Sequence, residues 1–268
     1  MQAPKTVNLT RYSCLVLWLF FFPINVPKPI IKALLKDVTN MAFWFTHALV
    51  AFAALQKLER KNEFSSFEQI DDYLFGSVAP DLRYIKNSDR GITHLPFGKK
   101  SAFEAFRGKN CSDAFIAGYE SHLVCDRVWA GEHKELLEKS AYEHFKISPT
   151  NVAQKFSLYF FVDDYFQGKS NWLYPVLFAG NVFRANETSA LKSLGFSDSE
   201  ITAFKAAASL YLKEPGVNFF QALTLLRIPL EEKVLSVALN RFSGAGNYLS
   251  QFFDASVKKS VEAVQGKM

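Results

Sequence analysis

Apolar and polar positions recur at helical spacing along most of the chain. Residues 43–58 are apolar, rich in Ala and Leu, and free of Gly and Pro, which predicts a first helix that Thr39 or Asn40 can cap. Residues 67–75 predict a short helix closed by Gly76, and Ser112 is placed to cap a long helix over 113–130. Further helices are predicted over 134–145, 151–165, 187–194, 197–213, 217–225 and 230–258, which makes the fold class all-α.

The pattern separates the chain into two parts. Residues 41–268 contain no internal repeat and no linker, so they are predicted to form a single multi-helix domain. Residues 1–40 form an N-terminal extension in which Lys5 and Arg11 precede an apolar run over 14–24, shorter than the roughly 20 residues of a spanning helix. Three interpretations remain open: an uncleaved signal, an amphipathic anchor, or sequence upstream of a start at Met41. A start at Met41 predicts a cytoplasmic protein, whereas the extension predicts membrane association or export.

Composition narrows the function classes. The 268 residues are 49% hydrophobic and 21% charged, which is typical of a globular chain that buries a sizeable core. The net charge of +5 comes without any run of more than two adjacent Lys or Arg residues, so the sequence carries no nucleic-acid footprint. Three cysteines exclude a disulfide framework and a four-cysteine zinc ribbon.

Histidines carry the most specific signal. The five of them end at His144, so any histidine chemistry lies in the first half of the chain or just beyond it. His122 and Asp126, four residues apart on a helix, share one face and can reach one metal ion. Gly118, one turn earlier, leaves room for another element to approach. His47 lies within an apolar helix, where a buried imidazole needs a hydrogen-bond partner or a metal.

Two more residues complete an ordered set. Taken alone, Asp81 after Pro80 is interpreted as the cap of a turn, and His94 in a loop as an exposed side chain. In order, however, the chain supplies Thr-His at 46–47, Gly-Ser-Val-Ala-Pro-Asp at 76–81, Thr-His at 93–94, and Gly-x3-His-x3-Asp at 118–126. This set resembles the zinc-dependent phospholipase C family, whose fold is shared by S1/P1-type nucleases and the N-terminal domain of glycosylphosphatidylinositol-specific phospholipase D. The resemblance covers about residues 41–130.

The resemblance implies two neighbouring zinc ions. One would be held by Asp81, His94, His122 and Asp126, and the other by His47 with Asp126 as a bridging carboxylate. In that scheme a metal-activated water attacks phosphorus while Asp81 acts as general base.

The sequence departs from the family pattern in two places. The family's mature N-terminal amine completes the second metal site, whereas an amine at Met41 or Ala42 would lie closer to His47 than the family spacing. A third zinc would need a further His and then His-x3-Glu. His133 and His144 fit in part, but residue 148 is Ser, so we expect one or two zinc ions, no third site, and surface positions for both histidines.

The sequence therefore predicts a zinc-dependent hydrolase of phosphate esters, acting as a phospholipase C-like phosphodiesterase. Its expected partners are a phosphate-ester substrate, with phospholipid as one candidate, and a membrane surface. Two alternatives stay open: an S1/P1-type nuclease or nucleotidase, and a non-catalytic helical protein that is stabilised by metal and associated with membranes. The acids Asp163 and Asp164, on a predicted amphipathic helix, are interpreted as solvated.

Overall fold

A computed structural model describes residues 44–58, 66–86, 88–95, 101–133, 159, 162–163, 165–166, 188–213, 246–265 and 267. The helices in these ranges are α1 (Trp44–Lys57), α2 (Phe67–Val78), α3 (Arg83–Lys86), α4 (Arg90–Thr93), α5 (Ala102–Ala105), α6 (Asp113–Val128), α7 (Ser189–Ser193), α8 (Asp198–Lys213) and α9 (Gly246–Gln265). No strand occurs in the described ranges, and the all-α prediction is confirmed.

The interior is built around α1, α2 and α6. Helix α1 is apolar on all sides, and most of its side chains are buried, as expected for a helix at the centre of a bundle. Its C-terminal half packs through Ala51 and Leu55 against Val264 of α9. Its N-terminal turn meets α8, where Trp44 contacts the rings of Phe204 and Tyr211 edge-on. Helix α1 is thus held at both ends by later parts of the chain.

Helix α2 begins where the sequence predicts and ends later. Ser66 accepts a hydrogen bond from the Gln69 backbone and Gln69 bonds back to the Ser66 backbone, which forms a capping box. The helix then runs through Gly76 to Val78, so the prediction that Gly76 closes it was wrong. Gly76 instead serves a packing contact with α6.

Two glycines let α2 and α6 cross at close range. A Cβ atom on Gly118 would lie 1.9 Å from the Tyr73 carbonyl oxygen, and one on Gly76 would lie 2.2 Å from the Phe115 carbonyl oxygen. Both distances are far below contact, so only glycine fits at either position. The expected room beside Gly118 is therefore filled by the backbone of α2.

The segment after α2 is folded as a series of short turns. A 3₁₀ turn over Ala79–Leu82 starts with Pro80 near its N-terminus, where the missing N–H group is tolerated. Asp89 caps α4 by accepting a hydrogen bond from the Gly91 backbone. Ser112 caps α6, as predicted, by accepting from the Phe115 backbone at 3.1 Å.

The later helices lie where the sequence predicts them, but their ends differ from the predicted ends. Helices α7 and α8 fall within the predicted spans, whereas α9 continues to Gln265, beyond the expected end at 258. Among the described helices, none combines the length and apolarity needed to cross a bilayer. The N-terminal extension and the predicted helices over 134–145 and 217–225 lie outside the described residues, and the proposed domain boundary at residue 41 stays a prediction.

Candidate metal centre

The side chains of the five predicted ligands lie together in the interior, and we refer to them as the His–Asp cluster. They come from α1, the 3₁₀ turn, the C-terminal end of α4, and α6, and none is more than 6% exposed. The loop position of His94 did not make it exposed, and Asp81 is buried rather than a turn cap. The members of the cluster are His47, Asp81, His94, His122 and Asp126.

His122 is oriented by a hydrogen bond to α2. Its Nδ1 atom lies 2.8 Å from the carbonyl oxygen of Ser77, so Nδ1 carries the proton and donates it. The Nε2 atom is left with a lone pair directed into the cluster. The close α2–α6 crossing brings Ser77 within reach, which explains why Gly118 lies one turn before His122.

His94 is fixed through Thr93. Its Nδ1 atom lies 3.0 Å from Oγ1 of Thr93, while the Tyr119 hydroxyl donates to the Thr93 carbonyl oxygen. The Nε2 atom of His94 lies 3.2 Å from Nε2 of His122 and 3.3 Å from Oδ2 of Asp126. The next residue, Leu95, has φ of 57°, a conformation that non-glycine residues rarely adopt and that turns the chain sharply after the histidine.

Within the described part of the chain, His47 has no hydrogen bond on either ring nitrogen. Its ring stacks on that of His122 with centroids 3.7 Å apart, and its Nε2 atom lies 3.4 Å from Oδ1 of Asp126 without hydrogen-bond alignment. The two carboxylate oxygens of Asp126 therefore face different histidines, Oδ1 toward His47 and Oδ2 toward His94.

Asp81 is the least satisfied member of the cluster. Neither of its oxygens has a hydrogen-bond partner among the described residues, and Oδ1 lies 3.7 Å from Nε2 of His94. Burial raises the pKa of Asp81 to about 7, which the charges of His47, Arg83 and Arg90 counteract in part. A buried carboxylate without a donor is costly unless a cation or a proton joins it.

Burial and charge separate the pKa values of the other members. Burial lowers the pKa of His94 to about 3, and the cation of Arg90 adds to this effect. Burial and the neighbouring His47 lower the pKa of His122 well below its usual range. The rings of His94 and His122 are thus neutral at pH 7, the form in which imidazole binds a metal. Burial disfavours the charged form of His47, but the neighbouring Cys125 and Asp126 raise the pKa of His47 well above its usual range, so a metal would have to displace a proton from this ring. Although burial opposes it, the charge of Arg90 helps to hold the pKa of Asp126 well below its usual range.

Arg90 is a member of the site that the sequence did not predict. Its guanidinium donates a hydrogen bond to Oδ2 of Asp126, and its side chain is 13% exposed, so it lies between the cluster and solvent. The two residues are 36 positions apart, and the turn chemistry of residues 87–91 gave no sign of the contact.

Asp163 corrects a second expectation. It was interpreted as solvated, but it is fully buried and accepts hydrogen bonds from the first turn of α1 and from α8. Burial raises the pKa of Asp163 to about 6, with these hydrogen bonds acting in the opposite direction. The side chain of Asp164 lies outside the described residues, as do those of His133 and His144, so the expectation for the third metal site stays a prediction.

The donor set fits a zinc ion. Ligand atoms fall into two groups, each within 4.8 Å, one formed by His47, His122 and Asp126 and the other by Asp81, His94 and His122. Neutral imidazole nitrogens and carboxylate oxygens are common zinc ligands. The buried nitrogens of His47 and oxygens of Asp81 have no hydrogen-bond partner, which is the state expected of atoms that a cation would satisfy.

Comparison with known proteins points to one family. A family model described as zinc dependent phospholipase C matches residues 45–191, more than half of the chain. The matched segment contains the whole His–Asp cluster as well as Asp163, and it extends beyond the residues 41–130 on which the resemblance was based. No curated protein and no solved structure matches the chain at a significant level.

Proposed function

The chain belongs to the zinc-dependent phospholipase C family, and from that premise we propose that it hydrolyses phosphate esters as a phospholipase C-like phosphodiesterase. The observation that carries the proposal is the His–Asp cluster, because five titratable side chains converge in the interior. Both ring nitrogens of His47, both oxygens of Asp81 and Oδ1 of Asp126 have no hydrogen-bond partner among the described residues. A helical protein stabilised by its own packing does not need five such groups in its interior.

We assign the zinc ligands from the two groups of donor atoms. Asp81, His94 and His122 would hold one ion, and His47 would hold a second one. Asp126 is placed to serve both, since its two oxygens face His47 at 3.4 Å and His94 at 3.3 Å. The ring of His122 is within reach of either ion. This assignment agrees with the one that the family resemblance implies.

The reaction would use zinc, a carboxylate that accepts a proton, and two histidine rings held in fixed orientations. When bound, zinc supplies Lewis acidity, which lowers the pKa of water and neutralises phosphate oxygens. Asp81 would accept the proton of the attacking water on a carboxylate oxygen, since neither oxygen is engaged by a protein donor. Ser77 and Thr93 keep the rings of His122 and His94 in fixed orientations.

Arg90 adds a reason to expect an anionic substrate. Its guanidinium lies at the partly exposed side of the cluster and already binds one oxyanion, the carboxylate of Asp126. Guanidinium groups bind phosphate oxygens with the same donor geometry. This chemistry supports a phosphate ester as the substrate.

The test combines metal content with two substrates. We expect the untagged full chain to contain one or two equivalents of zinc by plasma mass spectrometry and to release diacylglycerol from phosphatidylcholine vesicles. Asp126→Asn should lose most of the zinc and the activity. The matched control is Asp254→Asn, the same change at an exposed residue of α9, which should alter neither.

The other outcomes distinguish the alternatives. Release of nucleotides from single-stranded DNA with intact vesicles would replace the lipid substrate by a nucleic acid. Bound zinc without hydrolysis of either substrate would favour the non-catalytic, metal-stabilised protein. A folded chain that neither contains nor takes up zinc would overturn the proposal.

A further inference from the structure

We propose that Asp163 is a positioning residue that sets the zinc affinity of His47 by fixing the first turn of α1. The inference rests on the proposed function, because it assumes that the His–Asp cluster binds zinc. It concerns a residue outside the cluster, which does not touch any of the five ligands through a hydrogen bond in the described part of the chain.

The carboxylate of Asp163 accepts hydrogen bonds from two helices, α1 and α8. Its Oδ2 atom accepts from the backbone N–H of Phe45 at 3.1 Å and from the Tyr211 hydroxyl at 2.6 Å. Its Oδ1 atom accepts from the backbone N–H of Thr46 at 2.9 Å and from the Thr46 hydroxyl. The N–H groups in the first turn of a helix have no partner within the helix, and a negative charge there is also favoured by the helix dipole. Asp163 thus acts as a cap supplied from more than 100 residues away.

The residue that follows this anchored turn is His47. His122 and His94 are oriented by hydrogen bonds on their own Nδ1 atoms, to Ser77 and to Thr93. His47 has no such bond on either nitrogen to any residue that the structure describes. The position of its ring depends on stacking against His122 and on the backbone that carries it. Since Asp163 fixes that backbone at the two preceding residues, it does for His47 what Ser77 and Thr93 do directly for the other two rings.

The same contacts also connect α8 to the metal centre. Tyr211 lies beyond the segment that matches the family, and its hydroxyl reaches Asp163 while its ring packs against Trp44. A shift of α8 would therefore move the start of α1 and, with it, His47. The second metal position depends in this way on a helix that contributes no ligand.

The test is a zinc titration that measures the binding of each zinc ion separately. Zinc-depleted full-length protein is titrated with zinc in competition with a chromophoric chelator, and His47→Ala identifies the step that requires His47. In Asp163→Asn we expect this step to weaken by about 10–100-fold, the usual effect of removing a group that orients a ligand, and the other step to change by less than about threefold. A purely structural role for Asp163 would affect both steps alike or neither.

A control separates positioning from general loss of stability. Val264→Ala removes a buried side chain that packs against the opposite end of α1, so it destabilises the helix without touching its first turn. We expect both zinc affinities of this variant to stay within about threefold of the wild type. If Val264→Ala weakens the His47-dependent step as much as Asp163→Asn does, the inference is overturned.

The remaining outcomes are equally decisive. If Asp163→Asn does not fold, Tyr211→Phe takes its place, because it removes only one of the donors to Asp163. This variant should weaken the His47-dependent binding step and leave the other step unchanged. An unchanged His47-dependent step would overturn the inference. Wild-type zinc binding with unchanged steps in Asp163→Asn overturns the inference and leaves the proposed function intact. A wild-type chain that takes up no zinc overturns both.

Discussion

Two fully buried carboxylates, Asp81 and Asp163, are surrounded in opposite ways. Among the residues that the structure describes, Asp81 has no hydrogen-bond donor on either oxygen, whereas Asp163 accepts from two backbone N–H groups and two hydroxyls. Burial raises both pKa values, that of Asp81 to about 7 and that of Asp163 to about 6. A carboxylate saturated with donors fixes the elements that supply them, and one without donors is suited to a cation. The contrast assigns Asp163 to the scaffold and supports Asp81 as a zinc ligand.

The largest loss of stability is expected from separating α2 and α6, the two helices whose crossing positions the residues around Asp81. Gly118→Ala would place a Cβ atom 1.9 Å from the Tyr73 carbonyl oxygen, so α2 and α6 must separate. We expect a loss of more than about 4 kcal/mol of unfolding free energy, or no folded protein, measured by urea denaturation. Separation would also move His122 away from Ser77 and from Asp81.

Gly91→Ala is the matched control, since Gly91 is an exposed residue of the short helix α4 and a Cβ atom there would meet only a side-chain oxygen of Asp89, at 3.2 Å. We expect its stability to stay within about 1 kcal/mol of the wild type. Wild-type stability and zinc content in Gly118→Ala would show that the close crossing of α2 and α6 is not required.

The helices and the site residues could be predicted from the sequence, but the close contact between α2 and α6 could not. The sequence predicted α1 and α6 nearly to the residue, because α1 is a largely apolar run without Gly or Pro and α6 begins at a serine cap. The resemblance of the ordered motifs to the zinc-dependent phospholipase C family implied which five side chains come together. Gly76 was misread because a glycine that ends a helix and one that lets another helix approach look alike until the partner is known.

The residues that the sequence missed have partners far along the chain. Asp163 bonds to residues 117 and 118 positions earlier, and Arg90 to one 36 positions later. A pair of acids in a helical segment and an arginine in a turn are usually solvated, and no local pattern distinguishes these exceptions. Burial of a charge depends on tertiary contacts, which periodicity does not encode.

Zinc bound on the Asp81 side should stabilise the folded protein. If Asp81 belongs to a zinc site, free zinc at 1,000 times its dissociation constant should raise the unfolding free energy by about 4 kcal/mol, and a chelator should remove this gain. Asp126→Asn should abolish most of the gain, whereas Asp254→Asn should keep it. Denaturation with and without zinc measures the effect, and an equal gain in both variants would mean that zinc binds elsewhere.

Arg90 should have opposite effects on the metal-free and the zinc-bound protein. Arg90→Met leaves Asp126 buried without its cation, so we expect a loss of about 3 kcal/mol from the metal-free protein. It also removes a positive charge beside the cluster, so zinc affinity should rise by about tenfold. Urea denaturation and chelator competition measure the two quantities.

Lys192→Met is the control for this change. Lys192 pairs with Asp198 at 2.8 Å, and the two side chains are 47% and 72% exposed, so removal of this cation should lower stability by no more than about 1 kcal/mol. Its zinc affinity should equal that of the wild type. A fall in zinc affinity in Arg90→Met would contradict the view that the guanidinium and zinc compete for Asp126.

The smallest effect is a pH dependence that belongs to Asp163. Its pKa lies near 3.8 in an unfolded chain and at about 6 in the folded protein. Between these values the folded state holds a proton that the unfolded state has released, so this contribution to stability falls as pH rises from about 4 to about 6 and is constant outside that range. Asp163→Asn lacks the group. The unfolding free energy of the wild type minus that of the variant, both metal-free, should therefore decrease over this interval and level off above it.

Tyr211→Phe tests whether the donors set this pKa. The Tyr211 hydroxyl stabilises the charged form of Asp163, so its removal should raise the pKa of Asp163 above about 6 and extend the interval upward. Carbon-13 NMR of the Asp163 carboxyl group, observed from pH 4 to pH 8, measures the change directly. An unshifted carboxyl titration in Tyr211→Phe would mean that the hydroxyl does not contribute, and a wild-type pKa near 3.8 would mean that Asp163 is not buried as described. The first result would weaken the connection from α8 to α1, and the second would remove the contrast between the two carboxylates.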